Sequence, residues 1–152
     1  MSFFDSLDVA ASGLTAERLR MDVTAENLAN AQTTRGANGQ PYQRQEVILQ
    51  QVGGFGETLA GAMSGVAAPT AGSAPAPGGV TVAGIVGDPT PDKLVYQPGN
   101  PDANAQGYVR LPNVSPVTEM VDLIDESRSY EADVTAMQTA KSMYSKTLEL
   151  LK

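Results

Sequence analysis

The stretch Pro116–Leu151, PVTEMVDLIDESRSYEADVTAMQTAKSMYSKTLELL, decides the fold of this chain. Large apolar residues recur in it every seven positions, at Leu123, Tyr130, Met137, Tyr144 and Leu151. A second row lies three positions earlier and holds Met120, Val134 and Leu148, with Ser127 and Lys141 at the remaining places. A sustained repeat of this kind, with a narrow apolar seam, predicts a long helix that packs against another helix as in a coiled coil.

The ends of this helix are also marked in the sequence. Ser115 is a candidate N-cap, and Pro116 suits the first helical position because its missing N–H would be unpaired there anyway. Acidic residues crowd the early turns and lysines lie late, which complements the helix dipole. At 1.5 Å per residue the helix would span roughly 50 Å.

The first part of the chain, from about Ser2 to Ala31, repeats the pattern more weakly. Leu7, Leu14, Met21 and Leu28 recur at intervals of seven. Phe4, Ala11 and Ala25 precede members of that row by three positions, and Arg18 interrupts this second row. We therefore predict a second long helix with a thin, alanine-rich seam.

The middle of the chain differs in character because it holds most of the Gly and nearly all of the Pro. Four short apolar runs predict strands, and they are Tyr42–Val52, Val80–Val86, Leu94–Gln97 and Tyr108–Leu111. Asn38-Gly39 predicts a two-residue turn. The stretch Gly53–Gly79 is dominated by Gly, Ala, Ser, Thr and Pro, which cannot supply a core, and we predict a flexible insertion there.

These segments together predict an α+β fold. Two long terminal helices pair as a coiled-coil-like domain made of residues 1–34 and 115–152, and a small β-rich middle occupies residues 35–114. The seams are too long to be covered by so small a middle. The sequence therefore indicates that other copies or other chains bury them.

Composition excludes several classes of function. The chain has 152 residues and a formal net charge of −7, which argues against nucleic acid or an anionic membrane as the main partner. It contains no Cys and no His, so thiolate chemistry, disulfides and the commonest general base and metal ligand are missing. No run is long and apolar enough for a membrane span, and the first residues lack the features of a cleaved signal peptide.

The sequence predicts neither catalysis nor a cofactor. The acidic group Asp122, Asp125 and Glu126 is the one candidate for a metal or acid–base site, since residues 122 and 126 share a helix face. No His supports it, and complementation of the helix dipole explains these carboxylates without a site.

Motifs near both ends resemble those of one family. Ala25–Asn30, which contains Asn-Leu-Ala-Asn, resembles the N-terminal motif of the flagellar axial proteins, which build the rod, the hook and the hook-associated structures. Near the other end of the chain, Glu119–Ile124 and Arg128–Ala132 resemble the matching C-terminal motif of that family. The long connection from Thr34 to Tyr42 and the stretch Leu94–Ala103 are similar to the proximal-rod members, as are Gly107–Val109 and Pro112–Val114. The resemblance covers about residues 3–52 and 80–150.

The resemblance implies a structural subunit of the proximal rod of the bacterial flagellum. Such a subunit polymerises through its terminal helices into the drive shaft that transmits torque across the periplasm. It is exported without a cleaved signal peptide. The implied partners are the flagellar export apparatus, other rod proteins, the base on the MS-ring and export-gate side, and the distal rod. Asp133 departs from the family pattern, which usually has Asn there, and the Gly53–Gly79 insertion is longer than the pattern predicts.

The predicted subunit interface joins the seam residues to two asparagines. It comprises Phe4, Leu7, Leu14, Met21, Asn27, Leu28, Asn30, Met120, Leu123, Tyr130, Val134, Met137, Tyr144, Leu148 and Leu151. Asn27 and Asn30 share a helix face. Their amides can hydrogen-bond the backbone of a neighbouring subunit, or they can cap free carbonyls at the end of their own helix.

Two alternatives remain open at this stage. One is another flagellar axial protein, a distal-rod or hook subunit. The other is a stand-alone binding module with an intramolecular coiled coil, which explains the heptads but not the paired motifs at both ends.

Overall fold

The structure is a computed structural model that describes residues 3–36, 38–52 and 78–150, with Phe3, Phe4 and Leu150 described by backbone alone. The predicted flexible insertion at Gly53–Gly79 lies outside the described residues except for its last two glycines.

Two long helices and four short strands make up the described chain. In chain order they are α1 (Phe3–Ala29), β1 (Gln45–Gln51), β2 (Val80–Gly87), β3 (Lys93–Tyr96), β4 (Tyr108–Leu111) and α2 (Pro116–Leu150). The predicted α+β architecture is confirmed, and α2 begins at the proline that the sequence marks as its first residue. Each predicted strand forms to within a few residues of its predicted bounds.

The strands pair as two separate two-stranded sheets, β1 with β2 and β3 with β4. In the second sheet the strands are antiparallel, with Lys93 opposite Leu111 and Tyr96 opposite Tyr108. The chain turns close to the predicted Asn38-Gly39 position, where the backbone N–H of Gly39 donates to the backbone oxygen of Gly36 at 3.0 Å. Gly39 has a positive φ of 71°, a conformation that glycine adopts without strain.

The described chain divides into two compact units, and neither corresponds to a single stretch of sequence. One unit, which we call the cluster unit, comprises Leu19–Ile48 and Gly84–Ser127. Its buried apolar side chains are few and small, and they include Val23, Val109 and Val114. The predicted division into residues 1–34 with 115–152 and residues 35–114 stays a prediction.

The other unit comprises Met1–Arg18, Leu49–Ala83 and Arg128–Lys152. Within it Ala16 is buried, and the Ser12 hydroxyl accepts a hydrogen bond from the backbone N–H of Val80 at 3.0 Å. Gly13 lets α1 approach α2 closely, because a Cβ at this position would lie 3.2 Å from Oδ2 of Asp133. A small residue is therefore needed where the two helices meet.

Candidate functional site

The most buried side chains on α1 and α2 of the cluster unit are mainly polar rather than apolar. Asn27 and Glu119 are each 1% exposed, and Thr24 and Glu126 are also buried. Buried polar groups are costly unless they are hydrogen-bonded. The partners of these four side chains therefore determine whether the two helices can lie together.

The Asn27 amide is used at all four of its hydrogen-bonding positions. Its Oδ1 accepts from the Tyr42 hydroxyl and from the backbone N–H of Gln45, both at 2.9 Å. Its Nδ2 donates to the backbone oxygen of Gln45 at 2.8 Å and to Oε2 of Glu119 at 3.2 Å. One side chain on α1 thus holds the first residue of β1 and the first turn of α2.

Arg44, the residue immediately before β1, completes the cluster. Its Nε lies 2.6 Å from Oε1 of Glu119, and its second guanidinium nitrogen lies 3.4 Å from Oδ2 of Asp122. The hydrogen bond to Glu119 raises the pKa of Arg44. The backbone N–H of Arg44 also donates to Oδ1 of Asn113 at 2.8 Å. We call Asn27, Tyr42, Arg44 and Glu119 the polar cluster.

Tyr42 lies beside carboxylates in a partly dry position. Burial, and then the negative charges of Glu26 and Glu119, raise the pKa of its phenol above the ordinary value of 10.0. The protonated phenol is the form that donates to Asn27, so the surroundings favour the state that the cluster needs.

A second polar contact between the helices lies about two turns further along α2. The Thr24 hydroxyl donates to Oε1 of Glu126 at 3.1 Å, and Nε of Arg20 lies 3.6 Å from the same oxygen. Two members of the acidic group considered as a site thus have cationic partners on their own chain, since Asp122 lies beside Arg44. Among the described residues no group of three acidic side chains is placed to hold a metal ion.

Asn30 behaves differently from Asn27. Its Nδ2 donates to the backbone oxygen of Glu26 at 3.0 Å, and its Oδ1 accepts from the Thr33 hydroxyl at 3.2 Å. Asn30 therefore caps a free carbonyl at the end of α1, which is the second of the two roles that the sequence left open for this amide. A role of either asparagine at a subunit interface stays a prediction.

The other predicted interface residues fall into three groups. Leu7, Leu14, Met21, Leu28, Leu123, Tyr130, Val134 and Met137 are half-buried. Met120, Tyr144 and Leu148 are exposed. The side chain of Phe4 and the whole of Leu151 lie outside the described residues.

The C-terminal turns of α2 present an uncovered surface. Every residue from 141 to 149 is exposed, including the apolar side chains of Met143, Tyr144 and Leu148. Hydroxyls in this half of the helix bond back to its own carbonyls, as those of Thr139 and Thr147 do at 2.8 and 2.9 Å. Such bonds hide the polarity of Ser and Thr, so this surface is less polar than its composition suggests.

Most of the polar cluster was not predictable from the sequence pattern. Asn27 was a predicted site residue, whereas Tyr42 and Arg44 were not, and the early carboxylates of α2 were assigned to the helix dipole. One signal was available, since Glu119 and Glu126 are seven residues apart and therefore share a helix face.

Comparison with known proteins gives the family. A model of flagella basal body rod proteins matches residues 7–37, and a model of the C-terminal region of FlgEFG flagellar basal body rod proteins matches residues 105–150. The flagellar basal-body rod protein FlgC of Bacillus subtilis (strain 168) is 50% identical over 157 residues, which covers 100% of both chains.

The chain belongs to the FlgC family of flagellar basal-body rod proteins. Other FlgC relatives are those of Yersinia enterocolitica, 43% identical over 99% of this chain and 98% of the relative, and Borreliella burgdorferi, 41% identical over 100% of this chain and 99% of the relative. In this FlgC-family chain the two matched regions are joined by the polar cluster. Asn27 lies in the first region, Glu119 lies in the second, and they are hydrogen-bonded to each other.

Proposed function

We propose that this chain is a structural subunit of the proximal rod of the bacterial flagellum and polymerises through its terminal helices. The observation that carries the proposal is its similarity, over its full length, to relatives named flagellar basal-body rod proteins. The resulting polymer is the drive shaft that transmits torque across the periplasm.

The exposed end of α2 supports assembly through the helices. The apolar side chains of Met143, Tyr144 and Leu148 are exposed. Covering them with another chain favours assembly by roughly 25 cal/mol for each Å² of apolar surface removed from water. Isolated helices are marginal in water, and most of their stability in proteins comes from packing. Lateral contacts between subunits therefore stabilise these turns.

The partners follow from the position of a proximal-rod subunit. They are the other rod proteins, the base on the MS-ring and export-gate side, the distal rod, and the flagellar export apparatus during secretion. The chain reaches the periplasm without a cleaved signal peptide. Within the described residues, neither helix is apolar enough over a sufficient length to span a membrane.

We also propose that the chain is not an enzyme and uses no cofactor. Its acidic residues act on structure, with Glu119 and Asp122 beside Arg44 and Glu126 beside Thr24 and Arg20. An Asp125→Asn variant should keep nearly all of its swimming, and a complete loss of motility in that variant would revive the hypothesis of an acidic site.

Gene deletion followed by complementation tests the function directly. A strain that lacks this gene should not swim and should stop before a hook forms, because the rod precedes the hook in assembly. The wild-type gene on a plasmid should restore swimming, and an antibody should detect the chain in purified basal bodies. Normal motility of the deletion strain, or absence of the chain from basal bodies, would contradict the proposal.

A further inference from the structure

A single asparagine of the chain is followed by glycine, at Asn38-Gly39. In such a pair the backbone nitrogen of the glycine can attack the side-chain amide carbon of the asparagine, because glycine has no Cβ to hinder the approach. The product is a cyclic succinimide, which water then opens. The pair is therefore a candidate site for loss of the side-chain amide without any enzyme.

The other five asparagines are poorly suited to this reaction. Pro101 follows Asn100 and has no N–H to lose. Asn27 is followed by leucine, and its side chain is only 1% exposed with all four hydrogen-bonding positions in use. The remaining three are followed by residues that carry a Cβ, and they are Asn30, Asn104 and Asn113.

The folded chain holds Asn38 in a tight turn that is open to solvent. The backbone N–H of Gly39 donates to the backbone oxygen of Gly36 at 3.0 Å, and the backbone N–H of Gly36 donates to the backbone oxygen of Gln40 at 2.7 Å. Asn38, Gly39 and Gln40 are all exposed. Water therefore reaches the pair, whereas the attacking nitrogen is already engaged in a hydrogen bond.

This hydrogen bond opposes the reaction in the folded chain. The nitrogen of Gly39 attacks only after it has lost its proton, and that proton is the one donated to Gly36. The nitrogen must also move toward the side chain of Asn38, which opens the turn. The reactive arrangement is therefore rare while both hydrogen bonds of the turn are formed.

We propose that Asn38 is a site of spontaneous deamidation and that the folded turn protects it. The Gly39 nitrogen loses its proton to hydroxide and forms a bond to Cγ of Asn38. The bond from Cγ to Nδ2 breaks, and Nδ2 leaves as ammonia after it takes a proton from water. One water molecule then opens the succinimide, at Cγ to give aspartate or at the backbone carbonyl carbon to give isoaspartate. No oxidant or reductant takes part.

Isoaspartate changes the turn more than aspartate does. It routes the backbone through the side chain, which adds a methylene before Gly39 and removes the geometry of the hydrogen bond to Gly36. Both products also add a negative charge to a chain whose formal net charge is −7. The turn lies between Thr33 and Tyr42, where the backbone N–H of Tyr42 donates to the backbone oxygen of Thr33 at 3.4 Å. Isoaspartate therefore loosens the segment that joins α1 to the polar cluster.

Mass spectrometry of the purified full chain tests the site and its protection. The wild type is incubated at mildly alkaline pH in buffer and in urea, and peptides are assayed for loss of each amide and, with an isoaspartyl methyltransferase, for isoaspartate. Asn38 should lose its amide roughly tenfold faster in urea, because two hydrogen bonds no longer hold the turn. In urea, Asn104, which precedes alanine, should react more than about tenfold more slowly than Asn38.

Gly39→Ala is the matched variant and is compared in urea, where its effect on folding does not matter. It should slow the loss of the amide at Asn38 to about the rate at Asn104, because the new Cβ hinders the attack. An Asn38 that keeps its amide in urea, a Gly39→Ala chain that reacts as fast as the wild type, or equal rates at Asn38 in buffer and in urea would overturn the inference.

Thermal unfolding tests the consequence for the turn. Deamidated chain that contains isoaspartate, separated by anion exchange, should unfold a few degrees below the wild type. Asn38→Asp gains the same charge on a normal backbone and should stay near the wild type. A deamidated chain that is as stable as Asn38→Asp would contradict the loosening of the turn. The chemistry needs only one chain, so both tests are independent of the proposed function.

Discussion

Asn27 makes four hydrogen bonds, and all of them join α1 to other segments of the chain. The sequence singled it out through its motif and its helix face, but its partners lie 15 to 92 positions away, at Tyr42, Gln45 and Glu119. No periodicity links such residues. The importance of Asn27 was therefore predictable, whereas the chemistry that it performs required the fold.

Replacement of Asn27 by Ala should lower the free energy of unfolding by about 2–4 kcal/mol. The variant loses four hydrogen bonds and leaves the buried carboxylate of Glu119 one donor short, and each effect costs on the order of 1 kcal/mol or more. Asn30→Ala is the matched control, since that amide makes local bonds at the exposed end of α1, and we expect a loss below about 1 kcal/mol. Urea titration measures both, and equal losses would contradict a special role for Asn27.

The raised pKa of Tyr42 predicts that the stability of the chain depends on pH. Its folded-state pKa is raised above 10.0, so the unfolded chain releases the phenol proton first as pH rises. The stabilisation is fully present below pH about 10 and is lost as pH rises through the folded pKa. Between pH 9 and 11 the wild type should lose more stability than Tyr42→Phe, in which the other tyrosines remain. Parallel losses in the two proteins would show that Tyr42 does not contribute.

The strands and helices were largely predictable, because period-2 and heptad patterns survive in the sequence. Less predictable was the side of α2 that turns inward. The heptad rows predicted a seam through Met120 and Leu123, but Met120 is exposed and Leu123 is half-buried. The structure buries Glu119 instead, since Asn27 and Arg44 supply its partners.

The hairpin of β3 and β4 depends on Gly107. This residue has a φ of 82°, and a Cβ there would lie 2.8 Å from Cε2 of Tyr96. Gly107→Ala should destabilise the chain by more than about 1 kcal/mol, through backbone strain and displacement of the ring. Gly39→Ala, with positive φ but no close atom, should cost about 1 kcal/mol, and Gly99→Ala, with neither, should be nearly neutral. Thermal unfolding that ranks the three otherwise would contradict the account.

The seams of the terminal helices should tolerate changes of shape but not of charge. Leu28→Asp and Met137→Asp each place a carboxylate in a half-buried row that we propose is dry in the rod. We expect soluble, exported protein that does not assemble, seen as loss of swimming with the chain absent from basal bodies. Met137→Leu is the control and should swim. Normal assembly of both charged variants would favour a self-contained coiled-coil module.

The whole chain is weakly packed as a monomer, and we propose that it gains stability as part of a polymer. Few large apolar side chains are buried in the described residues, and the largest fully buried groups include Glu119 and Asn27. Apolar side chains stay exposed at Leu94 and Tyr96, at Val117 and Val121, and within residues 141–149. A chain of this kind reaches full stability only when neighbours cover that surface, because binding to the folded state adds to its stability.

Amide hydrogen exchange measured by mass spectrometry on the free chain and on purified basal bodies tests assembly through the terminal helices most directly. In the free chain, residues 141–149 should exchange fast, because no side chain of that stretch is buried. In basal bodies the same peptide should exchange far more slowly, while residues 42–46, held by the polar cluster, serve as the reference protected in both states. If residues 141–149 exchange at the same rate in the free chain and in the rod, the terminal helices do not form the assembly contact.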